Sequence, residues 1–236
     1  MVGRELGSFY PEKNNKIGEV IFEVKNYNVF DSMGKQRVKN AGFILRKGEI
    51  LGISGLIGSG RTELISSIFG TYEGSKTGEC IFNGKKINIK SAKEALKTGI
   101  SMVPEDRKQD GIIADMSVEK NMTLSNLDRY TKMADYVDTY KEKNDVRKYI
   151  DLLKIKTSSE NLAIKNLSGG NQQKVVLAKN LLVNPKIIIL DEPTRGVDVG
   201  AKYEIYKNIV ELAEQGISVI MVSSELPEVL GISDRI

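Results

Sequence analysis

A glycine-rich segment with the spacing of a phosphate-binding loop occupies residues 55–62. It consists of Gly55, Leu56, Ile57, Gly58, Ser59, Gly60, Arg61 and Thr62. Residues 50–54 predict a buried strand before it, and residues 63–69 predict a helix after it, which is the context such a loop requires. Glycines let consecutive N–H groups turn toward an anion, and the helix N-terminus adds partial positive charge. The Thr62 hydroxyl is a candidate Mg²⁺ ligand, while Arg61 stands where Lys is usual.

Two adjacent carboxylates follow a second apolar run. Residues 187–190 are all aliphatic and predict a strand buried on both faces, and Asp191 and Glu192 come directly after it. Ligands of open α/β sheets bind at the carboxyl ends of the strands. Alone, this pair could be an ordinary acidic strand end, but a phosphate loop upstream favours a site.

A helix that begins at a serine and two glycines precedes this strand. Apolar positions predict the helix over residues 169–182, and Pro185 ends it. Ser168 is suited to cap the helix, and Gly169 and Gly170 would let another molecule approach the backbone closely.

Five motifs together resemble the nucleotide-binding domains of ABC ATPases. They are GLIGSGRTEL, PEDRKQDG, LSGGNQQK, DEPTRGVDVGAK and VSSELPEVLG. The resemblance covers nearly the whole chain. More specifically, the motifs resemble the second of two fused ATPase domains in bacterial monosaccharide importers of the ribose and galactoside class. It implies an α/β P-loop NTPase fold, with a core sheet flanked by helices, a small antiparallel β part and a helical subdomain.

The resemblance also implies roles for individual residues. ATP would lie on residues 58–62, with Mg²⁺ held by Thr62 and, through water, by Asp191, and Glu192 would polarise the attacking water. Glu105 would be a further Mg²⁺ contact, and Asp198 would cross the interface between two domains. Tyr27 or Phe30 would stack on adenine. Residues 168–170 would close over the γ-phosphate held by the partner domain. They belong to the signature segment, which comprises Leu167, Ser168, Gly169, Gly170 and Gln172.

Two departures from the family pattern affect the expected turnover. Arg61 replaces a compact ammonium with a planar guanidinium, and the two are not interchangeable in a fitted site. Ser224 occupies the switch position after residues 217–222, where the family usually has His, and the chain contains no His at all. These features cast doubt on turnover at this phosphate loop.

Composition limits the remaining possibilities. The chain has 236 residues, of which 40% are hydrophobic and 28% charged, as expected for a soluble globular protein. A net charge of +4 from scattered basic residues does not favour nucleic-acid binding. Cys80 is the only cysteine, so no internal disulfide can form.

The order of predicted elements fits one domain. We expect residues 1–18 to be the tail of a preceding domain and a linker, residues 19–236 to be an ATPase domain truncated at its C-terminus, and residues of about 105–167 to be the helical subdomain. Strands are predicted over residues 20–24, 43–45, 50–54, 79–82, 85–89, 99–103, 187–190 and 217–222. Helices are predicted over residues 63–69, 91–96, 117–127, 142–153, 169–182 and 200–212, and from Pro227. Residues 25–36 and 128–141 are expected to be connecting segments.

The leading prediction is therefore an energy-coupling ATPase domain of a sugar importer. Its expected partners are the first ATPase domain of the same full-length chain, membrane permease subunits and, indirectly, a periplasmic or surface sugar-binding protein, with no nucleic acid. Its expected location is the cytoplasmic face of the plasma membrane, through the permease. Two alternatives are a regulatory nucleotide-binding module with little turnover and a nucleic-acid-associated ABC ATPase.

Overall fold

The computed structural model describes residues 9–131 and 137–236, which form two sheets with helices packed around them. The strands are β1 (Val20–Asp31), β2 (Gln36–Arg46), β3 (Ile50–Ser54), β4 (Gly74–Phe82), β5 (Lys85–Ile87), β6 (Ile100–Val103), β7 (Ile187–Asp191) and β8 (Ser218–Ser223). The α-helices are α1 (Arg61–Phe69), α2 (Ala92–Thr98), α3 (Val118–Thr123), α4 (Thr139–Leu152), α5 (Gly169–Leu181), α6 (Val199–Glu214) and α7 (Leu226–Ile232). Leu124–Arg129 and Ile164–Asn166 are 3-10 segments, and Arg107–Gly111 is a π-helical turn.

A parallel sheet in the order β3-β8-β7-β6 positions the candidate site. Asp191 at the end of β7 pairs with Val222 of β8, and Ser54 at the end of β3 pairs with Ser223. The carboxyl ends of these strands therefore meet at one edge, where the phosphate loop, the acidic pair and Ser224 come together. The strands predicted over residues 187–190 and 217–222 are present, with bounds shifted by one residue.

Alternate residues of β7 contribute to two hydrophobic cores. Ile188 and Leu190 pack with helices α3 to α6, whereas Ile187 and Ile189 pack with α1 and the antiparallel sheet. Burial on both faces explains the unbroken aliphatic run in this strand. It also holds the end of β7, and with it Asp191, in a fixed place.

The antiparallel sheet, in the order β2-β1-β4-β5, contains a strand that is longer than predicted. Residues 25–36 were expected to be a loop, but β1 continues to Asp31 and β2 begins at Gln36. β1 pairs with β2 and β4 on its two sides, and register shifts between Val24 and Asn28 absorb the polar residues there. The predicted hairpin is confirmed, since β4 pairs antiparallel with β5.

Helix α3 begins at its predicted cap but ends earlier than predicted. Ser117 Oγ accepts a hydrogen bond from the Lys120 N–H at 3.1 Å. The helix expected over residues 117–127 changes to 3-10 geometry after Thr123, and the π-helical turn carries no helical pattern in the sequence. Part of the expected connector, residues 132–136, lies outside the described residues. Among the helices that are described, none is both long and apolar enough to cross a membrane.

Residues 9–18, expected to belong to a linker, lie against the rest of the domain. The Tyr10 and Tyr206 rings have centroids 5.4 Å apart. Lys13 Nζ lies 3.0 Å from Asp234 Oδ1, and Asn15 Nδ2 donates to Asp234 Oδ2 at 2.7 Å. Residues 1–8 lie outside the described residues, and the division into linker, domain and helical subdomain stays a prediction.

Candidate nucleotide-binding site

The phosphate loop joins β3 to α1 in the expected strand–loop–helix order. Gly60 has a φ of 91°, and a Cβ atom there would lie 2.5 Å from the Arg37 carbonyl oxygen, so this turn requires glycine. Gly58 has a φ of 82° and open space around it. The N–H groups in the first turn of α1 have no acceptor within the helix, and they can cradle an anion. The predicted phosphate contacts all lie in this loop and turn, namely Gly55, Gly58, Ser59, Gly60, Arg61 and Thr62.

Asp191 is a buried carboxylate that has no hydrogen-bond partner among the residues described. Its side chain is 0% exposed, and both Oδ atoms lack a donor. Burial, together with the neighbouring Glu192 carboxylate, raises the pKa of Asp191 to about 6. Two buried carboxylate oxygens without donors suit a hard divalent cation. Asp191 and Thr62 therefore fit the Mg²⁺ site that the sequence predicts.

Glu192 lies next to Asp191 in a strained backbone conformation. Its φ is 47°, in the left-handed region that non-glycine residues rarely adopt. Glu192 Oε1 lies 3.4 Å from Arg61 Nη1, and both side chains are 11% exposed. Ser224 donates to the same carboxylate, through its N–H at 2.8 Å and through Oγ at 3.2 Å. The structure thus brings together the predicted base, the substituted loop residue and the substituted switch residue.

The predicted signature segment forms the start of α5. Leu167 is buried, and Ser168 precedes the helix as expected. However, Ser168 makes no side-chain hydrogen bond to the helix backbone, so the predicted cap is wrong in this respect. The Ser168 Oγ instead accepts a hydrogen bond from Asn171 Nδ2 at 2.9 Å, and Ser168 is exposed.

Both signature glycines make room for residues of the same domain. A Cβ atom on Gly169 would lie 2.8 Å from Arg107 Nη2, and one on Gly170 would lie 2.8 Å from the Ala201 Cβ. Internal packing therefore requires glycine at position 170, whereas a side chain at position 169 would displace the end of the Arg107 side chain.

Gln172 does not present its side chain to a partner. It is buried, and its Nε2 donates to the carbonyl oxygens of Ile164 at 3.3 Å and Leu167 at 3.2 Å. Gln172 therefore supports the signature segment from inside the domain, and the assignment of the segment to a partner's nucleotide stays a prediction. Its amide fixes the 3-10 turn that leads into α5.

The loop between β7 and α6 is held at both ends. Asp198 caps α6, because its Oδ1 accepts from the Ala201 N–H at 3.0 Å, and its role at an interface stays a prediction. Thr194 Oγ1 donates to Glu228 Oε1 at 2.7 Å, and Ser223 donates to the other oxygen of Glu228. Glu228 is 1% exposed, and burial raises its pKa. This carboxyl group ties the loops that follow β7 and β8 to α7.

A cleft of about 740 Å³ extends from Thr62 and Asp191 toward the π-helical turn. Thr62, Asp191 and Glu105 all line it. Glu105, the predicted further Mg²⁺ contact, forms an ion pair with Arg195. Arg107, two residues after Glu105, donates to the carbonyl oxygens of residues 195 and 196. The sequence does not predict these two contacts, although Arg107 and Arg195 both belong to motifs that carry the family resemblance.

The two aromatic candidates for adenine stacking differ in exposure. Tyr27 is 3% exposed, and its hydroxyl lies 3.5 Å from Ser67 Oγ, inside the core. A ring buried to this extent offers too little surface for a base to stack on, so that prediction is wrong. Phe30 is half-buried and stays a candidate.

Comparison with known proteins agrees with this geometry. A family profile described as ABC transporter matches residues 38–195. The chain is 53% identical to the xylose import ATP-binding protein XylG of Photobacterium profundum, covering 100% of this chain and 47% of that protein. It is 54% identical to XylG of Brucella abortus, with 100% and 46% covered. The chain thus spans about half the length of these relatives.

Solved structures agree in fold. A nucleotide-free ATP-binding cassette from an ABC transporter superposes with a TM-score of 0.76 at 24% identity, covering 92% of this chain and 86% of that chain. The cbiO1 protein of Clostridium perfringens, part of the ABC transporter complex cbiONQ, gives 0.75 at 26% identity, with 92% and 83% covered. The predicted α/β ATPase fold is therefore confirmed.

Proposed function

The chain belongs to the ABC transporter family, and from this we propose that it is one of two ATP-binding domains in the energy-coupling subunit of a bacterial sugar importer. The observation that carries the proposal is the buried carboxylate of Asp191, which lies beside the phosphate loop and Thr62 and which no residue in 9–131 or 137–236 hydrogen-bonds. The relatives' length supports a second ATPase domain in the full-length chain.

The residues of this chain would divide the work as follows. The N–H groups of the phosphate loop would bind the β- and γ-phosphates, and Thr62 and Asp191 would hold Mg²⁺. Bound Mg²⁺ would neutralise charge that develops on the phosphates during transfer. Glu192, held by Ser224, orients and polarises the water that attacks the γ-phosphate.

The signature segment would complete the site of the first ATPase domain. The exposed Ser168 hydroxyl at the start of α5 supports this assignment, because an exposed donor at a helix N-terminus suits an anionic phosphate. In the same way, the other domain would complete the site on this chain's phosphate loop.

The sugar we propose is xylose. The relatives are named as xylose import proteins, and these names do not support the ribose or galactoside class that we expected. The other proposed partners are membrane permease subunits and, through them, a sugar-binding protein, at the cytoplasmic face of the membrane. The cleft supports a permease contact, because Glu73, Asp106 and Asp110 line it and would complement a basic segment.

Titration of this chain with Mg²⁺-ATP in a calorimeter tests the core of the proposal. We expect weak binding, because half of the site belongs to the other domain, and we expect Asp191→Asn to weaken it further. Asp128→Asn is a matched control at an exposed position. Absence of Mg²⁺-ATP and Mg²⁺-ADP binding up to millimolar concentration would contradict the proposal.

A regulatory module with little turnover is the second candidate function. The ion pair between Arg61 and Glu192 favours it, since Glu192 then directs a carboxylate oxygen toward a cation of its own domain rather than toward a water molecule. Rapid hydrolysis by this chain alone, at a specific rate independent of its concentration, would exclude this candidate.

A further inference from the structure

The Arg107 side chain connects three segments that the sequence keeps far apart. Its Nη1 donates to the Arg195 carbonyl oxygen at 2.9 Å, and its Nη2 donates to the Gly196 carbonyl oxygen at 3.2 Å. The same Nη2 atom occupies the space beside Gly169 that a Cβ atom would enter. One guanidinium therefore hydrogen-bonds the loop before α6 and lies beside the first glycine of the signature segment.

The turn that carries Arg107 is itself anchored to α5. Asp106 Oδ1 caps the turn by accepting from the N–H groups of Lys108 at 2.8 Å and Gln109 at 3.2 Å. At its other end, the Gly111 carbonyl oxygen accepts from Lys179 Nζ of α5 at 3.0 Å. Because Asp106, Asp110 and Gly111 also line the cleft, a partner bound there would press on the element that holds Arg107.

We infer that Arg107 is a positioning residue that links occupancy of the cleft to the placement of the signature segment and of the loop at residues 194–198. This inference rests on the proposed function, in which the permease occupies the cleft. A shift of the π-helical turn would move both carbonyl contacts and the guanidinium beside Gly169 together. The proposed coupling runs from the residues that line the cleft to the exposed Ser168 hydroxyl.

The chemistry of the contact requires arginine. A planar guanidinium directs two N–H groups in parallel and can bond two successive carbonyl oxygens, whereas an ammonium is a point donor on a flexible stem. Glu105 and Arg195 form a second connection between the same two segments, so removing Arg107 should loosen the link without unfolding the turn.

The test uses the full-length subunit reconstituted with its permease and sugar-binding protein. The variants are Arg107→Ala and Arg107→Lys, and Lys108→Ala is the matched control, because Lys108 loses the same charge from the same turn at an exposed position. The measurements are ATP hydrolysis with and without sugar, the KM for ATP, and hydrogen exchange at residues 168–172 and 194–198.

For Arg107→Ala we expect the ratio of sugar-stimulated to basal hydrolysis to fall about tenfold, a magnitude typical of coupling between sites, with the KM for ATP little changed. The ratio for Arg107→Lys should lie closer to that of Arg107→Ala than to that of wild type, and the ratio for Lys108→Ala should equal that of wild type. Exchange at both segments should be faster in the Arg107 variants. Unchanged exchange, or an equal fall in basal and stimulated rates, would overturn the inference. No stimulation in wild type would count against the proposed function instead, and the exchange result would still decide the role of Arg107.

Discussion

Arg61 of the phosphate loop and Glu192 at the end of β7 form an ion pair, with Nη1 and Oε1 3.4 Å apart. Both side chains are only 11% exposed, so water and salt screen the pair weakly. The cation expected to contact phosphate and the carboxylate expected to polarise water therefore compensate each other. A bound phosphate would have to compete with Glu192 for Arg61.

We expect Glu192→Gln to tighten the binding of Mg²⁺-ATP by this chain. The amide keeps an acceptor for Ser224 but leaves Arg61 without its counter-charge. The Arg61 guanidinium can then pair with a phosphate instead of with Glu192. A gain of about 1 kcal/mol corresponds to about fivefold in Kd. Calorimetric titration measures this, with Glu211→Gln as the control at an exposed ion pair. Weaker binding by Glu192→Gln would show that the two charges do not compete.

Asp191 should make the stability of this chain depend on pH in the absence of Mg²⁺. Its pKa is raised from 3.8 to about 6 in the folded state, so the folded state holds the proton more tightly than the unfolded state. The cost of the buried charge therefore grows as pH rises from 3.8 to about 6, and is fully present above that range. We expect Asp191→Asn to raise the free energy of unfolding by about 1–2 kcal/mol at pH 8, since the amide still leaves a buried polar group unpaired.

Urea unfolding at pH 4.5 and pH 8 checks this expectation. The gain from Asp191→Asn should be smaller at the lower pH, and Asp128→Asn should show no such difference. Mg²⁺-ATP should stabilise wild type more than Asp191→Asn. A gain of equal size at both pH values would mean that burial of the Asp191 charge is not its cause.

Much of the candidate site could be predicted because its signals are local. The aliphatic run of β7 and the glycine spacing of residues 55–62 each specify one element, and parallel pairing then brings the ends of β3, β7 and β8 together. The left-handed backbone of Glu192 could not be predicted, since no glycine marks it.

The errors concern contacts across the fold. Tyr27 is of a residue type that often binds ligands, and only the packing around it shows that it is buried. The two carbonyl contacts of Arg107 join residues 88 and 89 positions away in sequence. No periodic pattern in the sequence predicts contacts between residues so far apart along the chain.

Reversing charge in the cleft should uncouple transport without affecting nucleotide binding. We expect the double variant Glu73→Lys with Asp110→Lys to reduce sugar-stimulated hydrolysis in the reconstituted importer, because it repels the basic segment we propose for the permease. The affinity for Mg²⁺-ATP should be unchanged. Glu12→Lys with Asp128→Lys adds the same charge at exposed positions outside the cleft. Equal sugar-stimulated hydrolysis by both double variants would contradict a permease contact here.

The signature segment and the phosphate loop of this domain should contribute unequally to hydrolysis in the full-length subunit. Ser168 belongs to a signature segment without substitutions, which we assign to the first domain's nucleotide, whereas Arg61 belongs to the altered loop paired with Glu192. We expect Ser168→Arg to nearly abolish hydrolysis, because the larger side chain would intrude on the γ-phosphate. Arg61→Ala should lower the rate much less and mainly weaken retention of nucleotide.

Steady-state hydrolysis and nucleotide retention after gel filtration separate these outcomes. Loss of oriented stabilisation at a transferring phosphoryl group costs about 10²-fold or more in rate, so the two variants should differ clearly. Asn161→Arg is the control for Ser168→Arg, since it places the same side chain at an exposed position a short distance before α5. If Arg61→Ala slows hydrolysis as strongly as Ser168→Arg, both composite sites turn over, and the pairing of Arg61 with Glu192 does not restrain the second one.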